Sequence, residues 1–207
     1  WNVNPLGFLG LGVDPGASPL VEFITTLWII GMINSINFVD GLDGLSTGVS
    51  MIAALTLGVI SITGVPSNVE PVVGLLCAVL AGALGGFLPW NFHPAKVFIG
   101  TTGVYAVGFA LAVLSILGTA KIAVALLVLG VPIIDTFWII IRRVSQGKSP
   151  FTPDRGHFHH RLLDLGLTHR NAVLLIYAIC STLAVTSIVL AESAGTLYVF
   201  TGIVAAG

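Results

Sequence analysis

Apolar stretches close to the length of a bilayer span recur along this chain, at 20–37, 46–63, 71–89, 104–119, 122–141 and 172–190, with a partial seventh at 196–206. A helix needs about 20 apolar residues to cross the hydrocarbon core, so such a series restricts the chain to one class of fold. Charged residues make up 8% of the 207 and hydrophobic residues 56%, and a soluble domain of this size does not carry so little charge. The expected fold is all-α: a polytopic transmembrane helical bundle of six to seven spans, forming a single domain over 1–207. Breakers divide the spans. Gly64-Val65-Pro66 separates the second from the third, Pro89 is expected to end the third, and Gly118 to Lys121 turns between the fourth and fifth. Cys77 and Cys180 both fall in apolar segments and read as small buried hydrophobes. No charged leader precedes the first span, and the chain, which begins at Trp1, is expected to be the C-terminal part of a larger bundle.

Basic residues set the orientation. Arg142, Arg143, Lys148, Arg155, Arg161 and Arg170 crowd into one loop, and positive loops stay cytoplasmic. Counting spans backwards from it puts the 89–103 and 38–45 loops on the same side. Three polar loops then share one face, while the opposite connections are short and plain, and the Gly- and Pro-rich stretch from Trp1 to Pro19 lies outside. A net charge of −1 gives no global basic field, so nucleic acid is not an expected partner.

The first of these loops reads Asn34-Ser35-Ile36-Asn37-Phe38-Val39-Asp40-Gly41-Leu42-Asp43-Gly44-Leu45. Charge near a bilayer is costly and usually serves substrate, ion or proton chemistry. Carboxylate and amide oxygens suit Mg²⁺, which shares its shell with water and substrate phosphate. Glycines 41 and 44 let the backbone turn sharply and approach a ligand. The plainer alternative is that Asp40 or Asp43 caps the following helix; Asn34 and Asn37, one and two turns earlier, argue against it. The second loop runs from Pro89 through Asn91, His93, Pro94 and Lys96 to Gly100-Thr101-Thr102-Gly103. Its glycine-bracketed hydroxyls form a turn that can hold an anion at a helix start, or the loop is an interfacial one in which Trp90 anchors and Lys96 snorkels.

The third loop contains Pro153-Asp154-Arg155-Gly156-His157-Phe158-His159-His160-Arg161, with three histidines and two arginines in seven residues. Arginine forks bind phosphate, and histidine donates to phosphate or moves protons. A solvated basic loop that only sets topology is the plainer reading. Zinc is a weaker rival, because no cysteine or second histidine cluster completes a site. Taken together, the loops offer oxygen donors for a metal and cations for phosphates, which suits metal-assisted phosphoryl chemistry at a membrane surface.

At these three segments the chain resembles the polyprenyl-phosphate N-acetylhexosamine-1-phosphate transferases, glycosyltransferase family 4. The matching segments are Asn34-x-x-Asn37-x-x-Asp40-Gly-Leu-Asp43-Gly-Leu, Phe87-x-x-x-Asn91-x-x-Pro94-Ala-x-x-Phe98-x-Gly100, and Pro153 to Leu163. The resemblance implies a multi-pass enzyme of the bacterial cell membrane with its active-site loops in the cytoplasm. Its partners would be a UDP-sugar, undecaprenyl or another polyprenyl phosphate, and membrane lipid; homodimers occur in the family. The lipid phosphate would attack the UDP-sugar, with N-acetylglucosamine favoured by the histidine motif, to give a polyprenyl-diphosphate sugar and UMP. The cofactor would be Mg²⁺, with Mn²⁺ as a substitute.

Carried over residue by residue, Asn37 and Thr101 occupy metal positions. Asp40 and Asp43 would organise the nucleotide or the reacting phosphates. Asn34, Asn91, Asp154, Arg155 and Arg161 would bind substrate, and His157, His159 and His160 would act on the phosphates. The chain departs from the family pattern in having Thr101 where the family has its Mg²⁺-binding aspartate and Val104 where serine is usual, and it contains no Asp-Asp pair. These departures leave a second reading, a degenerate non-catalytic member that binds nucleotide sugar or lipid phosphate. A third reading, a transporter, has only Asp135 and Glu22 as in-span ionisable candidates, and the crowding of motifs into one face disfavours it.

Overall fold

The computed structural model describes residues 19–63, 69–117, 121–147 and 158–189. These form α1 (Pro19–Val39), α2 (Leu45–Thr63), α3 (Pro71–Asn91), α4 (Gly100–Ile116), α5 (Lys121–Val128), α6 (Gly130–Ser145), α7 (Phe158–Asp164) and α8 (His169–Val189), with no strand among the described residues. Four of them, α1, α2, α3 and α8, are long and apolar enough to cross a membrane, and α4 is a shorter apolar helix of 17 residues. The protein is a membrane-integral helical bundle, as expected. The partial span at 196–206 and the stretch from Trp1 to Ser18 lie outside the described residues.

α2 stands at the centre. It packs most extensively on α3, then on α8, α5 and α4, while α1 packs chiefly on α4. Small residues bring these helices close, as is usual where apolar lipid supplies no hydrophobic drive between them. A Cβ on Gly58 would touch Cys77, and one on Gly74 would press into Ile62, so α2 and α3 meet nearly backbone to side chain. α1 and α4 meet where Gly108 lies against the backbone of Ile33, and the pair is tied by a bond from Trp28 Nε1 to Ser115 Oγ of 3.0 Å. Side chains such as Phe23, Leu27, Leu55, Ile62, Leu75, Val79, Phe109 and Val185 point outward, an apolar exterior that belongs in lipid.

Three boundaries differ from the sequence expectation. Pro89 lies inside α3 rather than ending it; a proline one turn from a C-terminus removes one hydrogen bond, and the Phe92 N–H still closes on the Leu88 carbonyl at 2.7 Å. The apolar run 122–141 is divided at Leu129 into α5 and α6. Helical bonds persist on either side of the break, Leu129 N–H to Ala125 and Ile133 N–H to Leu129, but Pro132 has no N–H to offer Val128, the ordinary cause of such a kink. The histidine segment is helical from Phe158 onward, not a loop.

Candidate active site

The acidic turn between α1 and α2 is shaped by its glycines for two different reasons. Gly44 has φ +79°, a left-handed conformation suited to glycine, and a Cβ there would also meet Phe92. Gly41 provides space instead, since a Cβ would lie 2.2 Å from His159 Nε2. The ring of His159, 3% exposed, therefore lies directly against the acidic turn. The first and third motifs, more than 110 residues apart in sequence, meet at this point.

The second motif meets the same turn. His93 Nδ1 lies 2.9 Å from Asp43 Oδ2, and the Ala95 N–H donates to the same oxygen at 3.2 Å. The loop carrying them is closed by the N–H groups of Lys96 and Val97 on the Trp90 carbonyl. Asn91, 3% exposed, locks it to the bundle: its Nδ2 donates to the Val97 carbonyl at 3.0 Å, and its Oδ1 accepts from Thr47 at 2.7 Å. Asn91 thus shapes the loop from within.

The two aspartates differ electrostatically. Asp40 is exposed as a residue, yet neighbouring atoms crowd its carboxyl, and that desolvation raises its pKa; the Ser46 hydroxyl, donating to Oδ1 at 2.5 Å, partly offsets the rise. For Asp43 desolvation also acts upward. The His93 hydrogen bond and the Ala95 N–H, with the His169 and His93 rings close by, together outweigh it and bring the group below its ordinary value. Within the turn, the Asp40 N–H reaches the Asn37 carbonyl at 3.3 Å, and Asn34 spends its amide nitrogen on Ile30 of its own helix at 2.7 Å.

α7 is anchored from α6. Asp135 Oδ1 accepts the Phe158 N–H at 2.9 Å, capping a helix start from another element. This carboxylate therefore helps orient the histidines. On α7, His159 and His160 rings are 4.4 Å apart, His160 is half-buried and Arg161 is exposed. Thr101 sits exposed in the first turn of α4. Asp154, Arg155 and His157 lie outside the described residues.

Besides His93 and Ser46, two residues of α8 at the turn are not among the sequence candidates for the site. His169, the first residue of α8, accepts the Asp43 N–H at Nε2 (2.9 Å) and stacks on His93 with centroids 4.1 Å apart. Tyr177, two turns further along α8, donates its hydroxyl to the Gly44 carbonyl. Neither carries a local sequence signal, because each acts across more than 120 residues. Asp43, His93 and His169 offer potential ligand atoms within 4.8 Å of one another. The imidazole planes, however, are only 14° from parallel and lie face to face, and a metal cannot sit in both planes at once as lone-pair donation requires. Two imidazoles are also poor partners for Mg²⁺, which takes oxygen. The oxygen donors of Asn37 and Asp40, three residues apart at the end of α1 and not fully buried, fit that ion better: one carboxylate plus substrate oxygens is its usual protein site.

The fold is that of a membrane-integral helical bundle with acidic, amide and histidine groups gathered at one turn. The family model for Glycosyl transferase family 4 matches residues 3–119, and the chain belongs to that family. Among curated relatives, it is 42% identical over 183 residues to a probable undecaprenyl-phosphate N-acetylglucosaminyl 1-phosphate transferase of Bacillus subtilis, covering 86% of this chain and 50% of the relative. It is 38% identical over 200 residues to a decaprenyl-phosphate N-acetylglucosaminephosphotransferase of Mycolicibacterium smegmatis, covering 86% and 49%. It is 41% identical over 139 residues to a phospho-N-acetylmuramoyl-pentapeptide-transferase of Oceanobacillus iheyensis, covering 65% and 40%. The chain spans about half the length of the first two relatives. Their names are those of enzymes and give no support to the degenerate alternative.

Proposed function

We propose that this chain carries the transfer site of an enzyme that moves N-acetylglucosamine-1-phosphate, or a related sugar-1-phosphate, from a UDP-sugar to undecaprenyl or another polyprenyl phosphate. This would start an envelope polysaccharide on the cytoplasmic face of a bacterial membrane. The observation that carries the reading is the meeting of three separate motifs at one turn: Asp43 with His93, and Gly41 with His159. The relatives' names supply the sugar phosphate and the lipid.

In this reaction an oxygen of the lipid phosphate forms a bond to the sugar-linked phosphorus of the donor. The bond from that phosphorus to the bridging oxygen breaks, and UMP leaves with its electron pair. Both reactants are anionic, so the site must lower their repulsion and align them in line. Asn37 and Asp40 would hold Mg²⁺, which when bound neutralises charge on the phosphates. Asp43, pinned by His93 and Ala95, orients the donor. His160, half-buried, and Arg161, exposed, would supply donors to phosphate oxygens. His159 sets the spacing between α7 and the turn.

Purified from its full reading frame and reconstituted, the protein should release UMP from UDP-N-acetylglucosamine when undecaprenyl phosphate and Mg²⁺ are present. Chelation should abolish the release. Thr101→Asp, which restores the family's residue, should raise the rate by at least tenfold, because an anionic ligand binds a hard cation far better than a hydroxyl. No UMP from either form, with no binding of UDP-sugar, would sink the proposal.

A further inference from the structure

We propose that His169 and Tyr177 of α8 are positioning residues that hold the acidic turn in its working shape; the inference rests on the transfer reading above for its effect on turnover, but not for its geometry. The turn is gripped at two successive residues. Asp43 gives its backbone N–H to His169 Nε2 at 2.9 Å, which leaves the His169 proton on Nδ1. Gly44 receives the Tyr177 hydroxyl on its carbonyl. Because Gly44 is the left-handed residue of the turn, its carbonyl direction determines how the chain enters α2, and the phenol holds that direction together with the Gly48 N–H, which donates to the same oxygen at 2.9 Å.

The grip is rigid for reasons of packing. A Cβ on Gly48 would lie 2.0 Å from the Tyr177 ring, so the phenol lies flush on the first turn of α2 in a space only glycine leaves open. The ring also sits 6.5 Å from that of Phe92, tilted by 43°, which joins the second loop to the same contact. At the other point His169 stacks on His93, and His93 meets Asp43 Oδ2. Asp43 is thereby fixed through its main chain by one imidazole and through its side chain by another, and the two rings support each other. Between the two points, Ala172, Val173 and Ile176 are buried, so α8 cannot slide without unpacking. A carboxylate that must align an anionic donor within a fraction of an ångström needs such support, since a misplacement of about 1 Å can cost about a hundredfold in rate.

The test uses the full reading frame in nanodiscs, with Tyr177→Phe, His169→Leu and His169→Gln. Tyr177→Phe keeps the ring and removes only the hydroxyl; glutamine keeps an acceptor near the place of Nε2, and leucine does not. Amide exchange of the segment 40–48, followed by mass spectrometry, should quicken about fivefold in Tyr177→Phe and His169→Leu and stay near the parent rate in His169→Gln. UMP release per donor concentration should fall about tenfold in the first two and recover in the third, with melting temperatures within 2 °C of the parent. Unchanged exchange in both Tyr177→Phe and His169→Leu would overturn the proposal, whatever happens to turnover. So would faster exchange with parental turnover, because the turn's shape would then not matter to the reaction. Faster exchange in a protein whose parent form releases no UMP would leave the grip standing and remove the transferase reading instead.

Discussion

Gly41→Ala is the sharpest test of the site, because it adds one methyl group where two motifs touch. The new Cβ would lie 2.2 Å from His159 Nε2 and 2.8 Å from Cε1. Ordinary contact begins near 3.4 Å, so the ring must retreat from 2.2 to at least 3.4 Å, about 1.2 Å. It cannot do so freely. His159 is 3% exposed, it stands in the first turn of α7, and the start of that helix is fastened to Asp135. Either α7 moves as a body or the acidic turn does. Overpacking of this kind costs about 1–3 kcal/mol in stability, and a displacement of about 1 Å between reacting partners can cost about a hundredfold in rate. Gly41→Ala should therefore lower UMP release by about two orders of magnitude and the melting temperature by a few degrees.

The paired variant Gly41→Ala/His159→Ala removes the ring that is struck. It should regain the melting temperature lost in Gly41→Ala, and a double-mutant cycle should show coupling of at least about 1 kcal/mol. Parental turnover and stability in Gly41→Ala, or strict additivity in the cycle, would show that the turn and α7 do not meet as described.

Asn91→Leu should destabilise the protein by about 1–3 kcal/mol, read by thermal melting, because the Thr47 hydroxyl and the Val97 carbonyl both lose their partner inside the bundle. Asp135→Leu frees the first N–H of α7 and should reduce turnover more than stability; Asp135→Asn, which keeps an acceptor, should do less of both. The two acidic-turn carboxylates should respond to pH with opposite signs. Asp43 is lowered in the folded protein, so its stabilising share is present above its unfolded pKa and is lost as pH falls through the folded one; Asp43→Asn should flatten that acid limb of a melting-temperature profile. Asp40 is raised, so the folded form binds more protons and loses stability as pH climbs from the unfolded to the folded value; Asp40→Asn should melt slightly higher than the parent at neutral pH while releasing no UMP.

The long spans were legible because apolar length alone determines them: α1, α2, α3 and α8 lie within a few residues of the runs read from the sequence. The division of 122–141 was not, since Pro132 announces a disturbance without saying whether the helix bends or continues. The three motif segments stood out in the sequence and counting spans put them on one face; the structure brings Asp43 to His93 and Gly41 to His159. What joins them was not. His169 opens an apolar helix and Tyr177 lies within it, and no local pattern distinguishes a phenol that grips a turn 133 residues away from one that anchors at a lipid headgroup. The separate tasks of Gly41 and Gly44 were also hidden, because composition records two glycines in a turn but not the imidazole that one of them admits.

The cap from Asp135 to Phe158 has a consequence for how this architecture tolerates change. The histidine helix is fastened to the middle of α6, not to its end, and ten further residues of α6 follow the fastening point. The length of the connection between Ser145 and the motif that begins at Pro153 can therefore vary without re-aiming the imidazoles. Insertions and deletions there should leave the chemistry intact, whereas a single lost carboxylate five residues into α6 should not.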